Sequence, residues 1–343
     1  MKAPTRIVPT LFSILLLLFL AGCGQTSSGS GSGATASRKI CYAYQGLAST
    51  FWVGALNAVT QGLKSKGYQM VAYDGQQNAT TQLQQVKDCI NQGVSGIIIV
   101  EQDAQSAVRI IQTANQANIP IAVLNRPPAS SSAHSIVVVS NNQQIAENAV
   151  NVLVQDVQKL GHKVHPLLLV GALTDPNAIL RKQGFDAVIA QHPDLFFPVV
   201  YVNTNWDAAT ALAGLQDALQ AHPDIDFIYS SADFLYPQIK AALQPLGKWE
   251  PDGNARHVIL GGFDGDENAC SLIKQGYVDA TGVQNLNFEA DSLIDALSKA
   301  IAAKDTQPNQ TIIDPGFTLT PANVATQGQN DWGCGIKPEM GQQ

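Results

Sequence analysis

The chain has 343 residues, of which 45% are hydrophobic, and its 27 acidic and 20 basic residues give a formal net charge of −7 at pH 7. This length is typical of two domains of ~150 residues each, and the hydrophobic fraction can supply packed cores, which excludes an intrinsically disordered protein. The acidic balance argues against nucleic acid as a partner, because nucleic-acid binding depends on basic residues that neutralise phosphates.

The N-terminal segment has the pattern of a secretion signal. Lys2 and Arg6 precede an apolar run at 11–20, and Leu-Ala-Gly at 20–22 leads directly into Cys23. A basic start, a short apolar core and small residues before a cleavage site indicate a signal peptide, and the run is shorter than a transmembrane helix of ~20 residues. The segment resembles a bacterial lipoprotein signal, which implies cleavage after residue 22 and a lipid on Cys23. The alternative is an ordinary signal peptide in which Cys23 has no role.

A stretch rich in Gly and Ser follows the cysteine. Residues 23–37 are predicted to form a flexible tether, because Gly and Ser residues give a chain little stiffness. The rest of the chain is then expected to be a folded, extracytoplasmic body that its lipid anchors to a membrane, at the cell surface or in the periplasm. Anchoring in a plasma membrane and in an outer membrane are both compatible with the sequence.

Strand-like and helix-like segments alternate through the first half of this body. The run Gly96–Val100 is continuously apolar, which is typical of a strand buried on both faces of a parallel sheet. Apolar residues recur every three or four positions in the segments between the strands, which indicates helices. The predicted strands are 40–44, 68–73, 96–100, 120–124 and 135–139, and the predicted helices are 51–66 and the segments around 83–90 and 104–114.

The alternation begins again at residue 165. The predicted strands of this second half are 165–170, 197–202, 227–229, 257–260 and 281–283, and the predicted helices are 180–191, 208–220 and 234–243. A last helix at 286–303 and a strand at 316–319 precede a polar tail, in which Trp332 and Cys334 are the expected anchors. Two such runs predict an α/β fold with two doubly wound, Rossmann-like parallel sheets.

Polar and aromatic residues follow the predicted strands. Ligands of open parallel sheets bind beyond the carboxyl ends of the strands, and two facing sheets form a cleft there. Aromatic rings pack against the apolar C–H faces of a sugar, while Arg, carboxylate and amide groups pair with its hydroxyl groups. The candidate ligand-binding residues are Gln45, Ser49, Phe51, Trp52, Glu101, Asn125, Arg126, Arg181, Trp206, Asp233, Phe263, Asp264 and Gln284.

Several short segments, taken in order and spacing, point to one family. They are Phe51-Trp52, 117–121 (ANIPI), Asn125-Arg126, 181–185 (RKQGF), 221–224 (AHPD), 262–265 (GFDG) and Gln284. With them, residues 39–323 resemble the sugar-binding proteins of ABC importers of the ribose-binding type, which have the type I periplasmic binding protein fold.

The resemblance implies a role for several candidate residues. Phe51 and Trp52 would flank a sugar from one domain, and Trp206 would face them from the other. Arg126 and Arg181 would donate to hydroxyl groups. Asp264 would accept from them, and Gln284 would lie near the hinge.

Three positions depart from the pattern of the ribose-binding type. Asn125 stands where these proteins often have Asp, and Glu101 stands where they often have Asn. Ala232 precedes Asp233 where they often have Asn. These changes alter the arrangement of donors and acceptors, so another aldose, a deoxy sugar or a polyol is as compatible with the sequence as ribose.

The resemblance also implies a hinge with three crossings between two lobes, near Ser140, Gln284 and Asp314. The N-terminal lobe would comprise 38–140 and 285–314, and the C-terminal lobe would comprise 141–284 and 315–343. A disulfide between the lobes would hinder their closure. With Cys23 lipidated, four of the 5 cysteines remain in a compartment that permits disulfides, and the division implies the pairs Cys41–Cys89 and Cys270–Cys334.

The expected function is capture of a monosaccharide, meaning a pentose, a hexose or a polyol, by a monomer that delivers it to an ABC transporter permease. The alternative is the ligand-binding subunit of a chemosensory or two-component signalling system. We do not expect an enzyme, because the sequence has no nucleophile elbow. A carbohydrate-processing enzyme would need an acid/base pair of carboxyl groups, and Glu101 with Asp264 is the only candidate pair. No cofactor or metal is expected, since the acidic run 264–268 lacks the Gly and Glu of a calcium loop.

Overall fold

The computed structural model describes residues 38–335 of the chain. The predicted signal segment 1–22, the predicted lipidation site Cys23 and the predicted tether 23–37 lie outside the described residues, and so do residues 336–343. Within the described part, none of the helices combines the length and the apolar character that a membrane span requires.

Strands and helices alternate throughout the described residues. The strands are β1 (Lys39–Tyr44), β2 (Gln69–Asp74), β3 (Gly96–Ile99), β4 (Ile121–Leu124), β5 (Ile136–Ser140), β6 (Pro166–Val170), β7 (Val200–Asn203), β8 (Phe227–Ser230), β9 (Ile259–Asp264), β10 (Ala280–Val283), β11 (Gln310–Asp314) and β12 (Phe317–Leu319). The α-helices are α1 (Thr50–Ser65), α2 (Ala79–Asn91), α3 (Ala104–Gln116), α4 (Asn142–Leu160), α5 (Pro176–Gln191), α6 (Ala208–Ala221), α7 (Tyr236–Leu243), α8 (Glu267–Lys274), α9 (Leu286–Ala303) and α10 (Val324–Gln327).

The strands form two six-stranded sheets. The first has the order β11-β5-β4-β3-β1-β2 and is parallel throughout. The second has the order β12-β10-β9-β8-β6-β7 and is parallel except for β12, which runs antiparallel to β10. Strands β3, β4 and β6 are buried along their whole length, which explains their continuously apolar sequences. The predicted α/β fold with two doubly wound sheets is confirmed.

The chain passes between the sheets three times. Strand β5 leads into α4 on the second sheet, β10 leads into α9 on the first, and only Pro315 and Gly316 separate β11 from β12. The Asp314 carboxylate accepts hydrogen bonds from the N–H groups of Asn285 at 2.7 Å and Gly316 at 2.9 Å. The Asp314 carbonyl accepts from the N–H of Asn141 at 2.9 Å. Asp314 is therefore hydrogen-bonded to the backbone of all three crossing segments. We call the parts built on the first and second sheets the N-terminal and C-terminal lobes.

Two disulfide bonds are present in the described residues. Cys41–Cys89 joins β1 to α2 within the N-terminal lobe, and Cys270–Cys334 joins α8 to the segment after α10 within the C-terminal lobe. Both pairs are those that the sequence analysis expected, and neither bridge connects the two sheets.

Helix α5 begins at Pro176, four residues before its predicted start at 180. The Asp175 side chain caps the helix by accepting from the N–H of Asn177, and proline suits the first turn because it has no N–H to satisfy there. Arg181 therefore lies buried in the second turn of α5, and not in the first turn that a start at 180 predicted.

Candidate ligand-binding site

A cavity of about 210 Å³ lies between the lobes, where residues that follow the parallel strands of both sheets meet. This volume is below the ~300–1,000 Å³ of sites for drug-sized molecules, so it suits a small ligand. Eleven of the thirteen candidate residues line it, namely Gln45, Ser49, Phe51, Trp52, Glu101, Asn125, Arg126, Arg181, Trp206, Asp264 and Gln284.

Arg126 follows β4 and contacts both lobes. Its Nη1 donates to Oε1 of Gln45 at 3.0 Å, and its Nη2 lies 3.0 Å from Oδ2 of Asp175 in the C-terminal lobe. The guanidinium carbon lies 5.1 Å from the ring centroid of Trp52, a distance typical of a cation–π contact. Oδ2 of Asp175 also accepts from the indole N–H of Trp206 at 3.1 Å. The two tryptophans are thus connected through an ion pair that crosses the cleft.

Arg181 organises the wall formed by the C-terminal lobe. Its Nη1 donates to Oδ1 of Asp264 at 3.0 Å, and its Nε donates to Oδ1 of Asn142 at 2.8 Å. The guanidinium carbon lies 3.9 Å from the ring centroid of Phe263 and 5.6 Å from that of Trp206. These contacts fix a side chain that would otherwise have many rotamers, so the donors of Arg181 are preorganised.

A chain of amide hydrogen bonds connects the two lobes at the hinge side of the cavity. Gln284 donates from Nε2 to Oδ1 of Asp264 at 2.8 Å, and its Oε1 accepts from Nδ2 of Asn125 at 2.9 Å. Oδ1 of Asn125 accepts from Nδ2 of Asn177 at 2.8 Å. All four residues are buried, so each polar group needs the partner that this network supplies.

Glu101, directly after the run that contains β3, lies in the cavity wall and is fully buried. Neither oxygen of its carboxyl group accepts a hydrogen bond from another described residue, and the Nε of Arg126 likewise lacks a partner among them. Burial raises the pKa of Glu101 to about 8, although the guanidinium of Arg126 favours the ionised form. At neutral pH, Glu101 is therefore protonated in most molecules. It offers a ligand one donor and one acceptor.

Asp264 is the second carboxylate with a perturbed pKa in the cavity wall. Burial raises the pKa of Asp264 to about 7, against the opposing effect of the Arg181 guanidinium. Gln284 donates to the same oxygen as Arg181, which also favours the ionised form. Burial and these ionised-form contacts therefore oppose each other at Asp264.

The comparisons with known proteins agree with this architecture. The family model that describes the periplasmic binding protein domain matches residues 40–305. The chain belongs to this family. The D-apiose import binding protein of Paraburkholderia graminis is 26% identical to this periplasmic binding protein over 262 residues, which cover 76% of this chain and 80% of the relative. The ribose import binding protein of Escherichia coli is 26% identical over 253 residues, which cover 73% of this chain and 80% of the relative.

A solved structure extends the comparison to three dimensions. An ABC transporter solute binding protein from Bacillus halodurans, crystallised with bound myo-inositol, superposes with a TM-score of 0.75 at 21% sequence identity. The match covers 87% of this chain and 99% of that chain. The predicted type I periplasmic binding protein fold and the resemblance drawn from the sequence are both confirmed.

Two candidate residues of this periplasmic binding protein do not line the cavity. The Asp233 carboxylate is fully buried, and its Oδ2 accepts from the hydroxyl of Thr281 and the N–H of Gly265, both at 2.7 Å. Phe263 is fully buried and packs against the guanidinium of Arg181. Both residues lie behind the wall, next to residues that line the cavity.

Thirteen lining residues of this periplasmic binding protein were not among the candidates. They include Asp175, Asn177 and Phe234. The dipeptide Asp-Pro at 175–176 is a helix-start signal, and it would have placed the first two at the sheet edge, after β6. Phe234 lies in a single 3₁₀ turn after β8, for which the sequence carries no comparable signal.

Proposed function

We propose that this periplasmic binding protein captures a neutral monosaccharide or small polyol in the cleft and delivers it to an ABC import permease. The observation that carries the proposal is the composition of the cavity, which combines Trp52 and Trp206 with the polar groups of Arg126, Arg181 and Asp264. Two relatives are named for the import of D-apiose and ribose, and the structural neighbour holds myo-inositol. All three are small polyhydroxylated molecules.

The charges around the cavity favour a neutral ligand. Arg126 is paired with Asp175 and Arg181 with Asp264, so neither guanidinium is left as an uncompensated cation for an anionic ligand. Glu101 is the remaining buried acid, and its raised pKa keeps it mostly uncharged at neutral pH. Hydroxyl groups can both donate and accept, which suits a wall where acids, amides and guanidinium groups alternate.

Closure of the cleft is the proposed mechanism of capture. The ion pair between Arg126 and Asp175 spans the lobes, and the hydroxyl of Thr50 donates to Oδ2 of Asp266 at 2.6 Å across the same boundary. A ligand that bridges the two walls adds contacts that exist only when the lobes meet, so it shifts the population towards the closed form. The permease would recognise that form.

Membrane attachment is a further part of the proposal. A lipid on Cys23 would hold the folded body at the membrane through the tether 23–37, within reach of a permease. Metabolic labelling with a palmitate analogue in a bacterial host should label the full chain and leave Cys23→Ser unlabelled. Label that persists in the variant contradicts the anchoring site.

The function can be tested on residues 23–343 carrying Cys23→Ser. Tryptophan fluorescence and thermal shift are recorded against D-apiose, D-ribose, D-allose, xylitol, myo-inositol and glucuronate. We expect a saturable response to a neutral member of the panel and none to the anion. Arg126→Ala and Asp264→Ala should abolish the response, whereas Lys66→Ala, which alters an exposed ion pair with Asp295, should not. A response to glucuronate alone, or to none of these compounds, contradicts the proposal.

A further inference from the structure

The segment after α10 lies directly against the turn that carries Asp264. The indole N–H of Trp332 donates to the backbone carbonyl of Asp264 at 3.0 Å, and Trp332 is buried. A Cβ atom on Gly333 would lie 2.2 Å from the carbonyl oxygen of Gly265, so the two backbones touch and only glycine fits. The disulfide between Cys334 and Cys270 fixes the end of this segment to α8.

The turn held in this way has a strained backbone. Asp264 has φ +124°, a conformation that side-chain-bearing residues rarely adopt. Such conformations persist only where surrounding contacts determine them, and they are found at ligand clamps. The same residue presents its carboxylate to Arg181 and Gln284 in the cavity wall. Any contact that fixes this backbone therefore also fixes a ligand-facing group.

Trp332 also contacts the N-terminal lobe. Its ring packs edge-on against Phe51, with 5.8 Å between the ring centroids, and a Cβ atom on Gly54 would lie 2.6 Å from it. Phe51 in turn packs edge-on against Trp52 at 4.9 Å, and both of these residues line the cavity. One side chain, held covalently to the C-terminal lobe through Cys334, thus touches the first turns of α1 in the other lobe.

We propose that Trp332 is a positioning residue for ligand binding, which holds the Asp264 turn and the start of α1 in their binding geometry, and that the Cys270–Cys334 disulfide keeps Trp332 there. The inference rests on the proposed function, because it assigns these groups to a ligand site. It predicts that the Cys270–Cys334 disulfide affects the geometry of the ligand site as well as the stability of the protein. The Cys41–Cys89 disulfide closes a loop of similar length, 48 residues against 64, and provides a matched control.

Hydrogen–deuterium exchange on the ligand-free chain, residues 23–343 with Cys23→Ser, tests the inference without any sugar. The N–H of Gly265 is protected by its bond to Oδ2 of Asp233, and the N–H of Val53 by its bond to the carbonyl of Ser49. In the double variant Cys270→Ser/Cys334→Ser, we expect exchange at both amides to be at least tenfold faster. In Cys41→Ser/Cys89→Ser the rate of exchange through local opening, measured without denaturant, should stay within twofold of the parent chain. Unchanged protection in the first variant, or equal loss in both, overturns the proposal.

Two single substitutions separate the contacts of Trp332. Trp332→Phe keeps a ring against Phe51 but removes the donor to Asp264, so exchange should accelerate at Gly265 and not at Val53. The added methyl group of Gly54→Ala would overlap with the Trp332 ring, so exchange should accelerate at the amides of both Gly265 and Val53. Gly62→Ala in the same helix meets the end of the Ile294 side chain at 2.5 Å and serves as its control. If both alanine variants behave alike, Trp332 has no positioning role.

A calorimetric titration with D-ribose adds the ligand. We expect the dissociation constant of the Cys270→Ser/Cys334→Ser variant to rise at least tenfold and that of Cys41→Ser/Cys89→Ser less than twofold. If the parent chain does not bind ribose, that result bears on the proposed function alone, while the exchange measurement still decides whether Trp332 holds the turn. Equal affinities of both variants, with ribose bound by the parent chain, contradict the inference.

Discussion

Arg126 of the N-terminal lobe and Asp175 of the C-terminal lobe form an ion pair across the cleft, with 3.0 Å between Nη2 and Oδ2. Their side chains are only 12% and 9% exposed, so solvent screens the attraction much less than at a surface. Asp175 also binds the indole of Trp206. The pair therefore links lobe closure to the position of an aromatic ring in the cavity.

Asp175→Asn should shift the ligand-free protein towards an open cleft and weaken ligand binding by at least tenfold. The amide keeps the cap of α5, because Asn is as good a helix cap as Asp, but it leaves the Arg126 charge uncompensated, at a cost of ~3–5 kcal/mol if that charge stays buried. Small-angle scattering should show a larger radius of gyration. Lys66→Ala removes a solvent-screened, exposed ion pair and should leave the radius unchanged. An unchanged radius in Asp175→Asn contradicts the role of the pair.

Glu101→Gln should flatten the dependence of stability on pH. Burial raises the pKa of Glu101 from its ordinary 4.5 to about 8, so between these values the folded protein holds a proton that the unfolded chain releases. The free energy of unfolding therefore falls as the pH rises through this window, by up to ~1.4 kcal/mol per unit. The variant lacks this contribution. Unfolding in guanidinium chloride from pH 5 to pH 8 should therefore show a smaller change of its unfolding free energy with pH.

Asp207→Asn is the control for that experiment. Hydrogen bonds from the backbone N–H and hydroxyl of Thr210 lower the pKa of Asp207, so this carboxylate is ionised in both states throughout the window. Its substitution should leave the slope of the parent chain in place. Parallel slopes for Glu101→Gln and the parent chain would show that Glu101 is not held protonated by burial.

The two disulfides should contribute similarly to global stability. They join residues 48 and 64 positions apart, and loop-closure entropy then predicts ~4 kcal/mol for each. Replacing either pair by serine should lower the free energy of unfolding, measured in urea, by amounts that agree within ~1 kcal/mol. A much larger loss for the Cys270–Cys334 pair would show that the segment around Trp332 contributes packing energy beyond its cross-link.

Asp314→Ala should destabilise the hinge by ~2–4 kcal/mol. Its carboxylate accepts from two backbone N–H groups, those of Asn285 and Gly316, and a buried donor without a partner costs ~1–3 kcal/mol. Asp305→Ala is a fair control, because this exposed carboxylate accepts from the N–H of Gln307 two residues on, as Asp314 does from Gly316. Urea unfolding should show a loss below ~1 kcal/mol for the control, and equal losses in the two variants contradict the hinge role.

Much of the fold could be predicted because buried parallel strands are short, apolar and regularly spaced. Helix α4 was not predicted, although its buried residues Ile145, Ala149 and Leu153 recur at helical spacing. Helix α8 was not predicted either. It has only eight residues and begins within the acidic run 264–268, where Asp266 caps it. Strand β11 is largely exposed and lacks the apolar run that marked the others.

The candidate site could be predicted to the level of strand ends but not of side-chain direction. Successive side chains of a strand point to opposite faces, so Asp264 reaches the cavity while its neighbour Phe263 enters the core. In the 3₁₀ turn after β8, which has three residues per turn, Phe234 lines the cavity while its neighbour Asp233 is turned inward. A register shift of one residue reverses the assignment, and the sequence pattern does not fix the register at the end of a strand.

The two-residue link between β11 and β12 restricts how the lobes can move. Pro315 and Gly316 join strands of different sheets, so the ends of β11 and β12 stay within ~10 Å of each other at every stage of opening. For the closure proposed above, we therefore expect a rotation whose axis passes close to this link. Displacement grows with distance from the axis, so pairs of distance labels placed progressively farther from Gly316 should report a linear increase in amplitude.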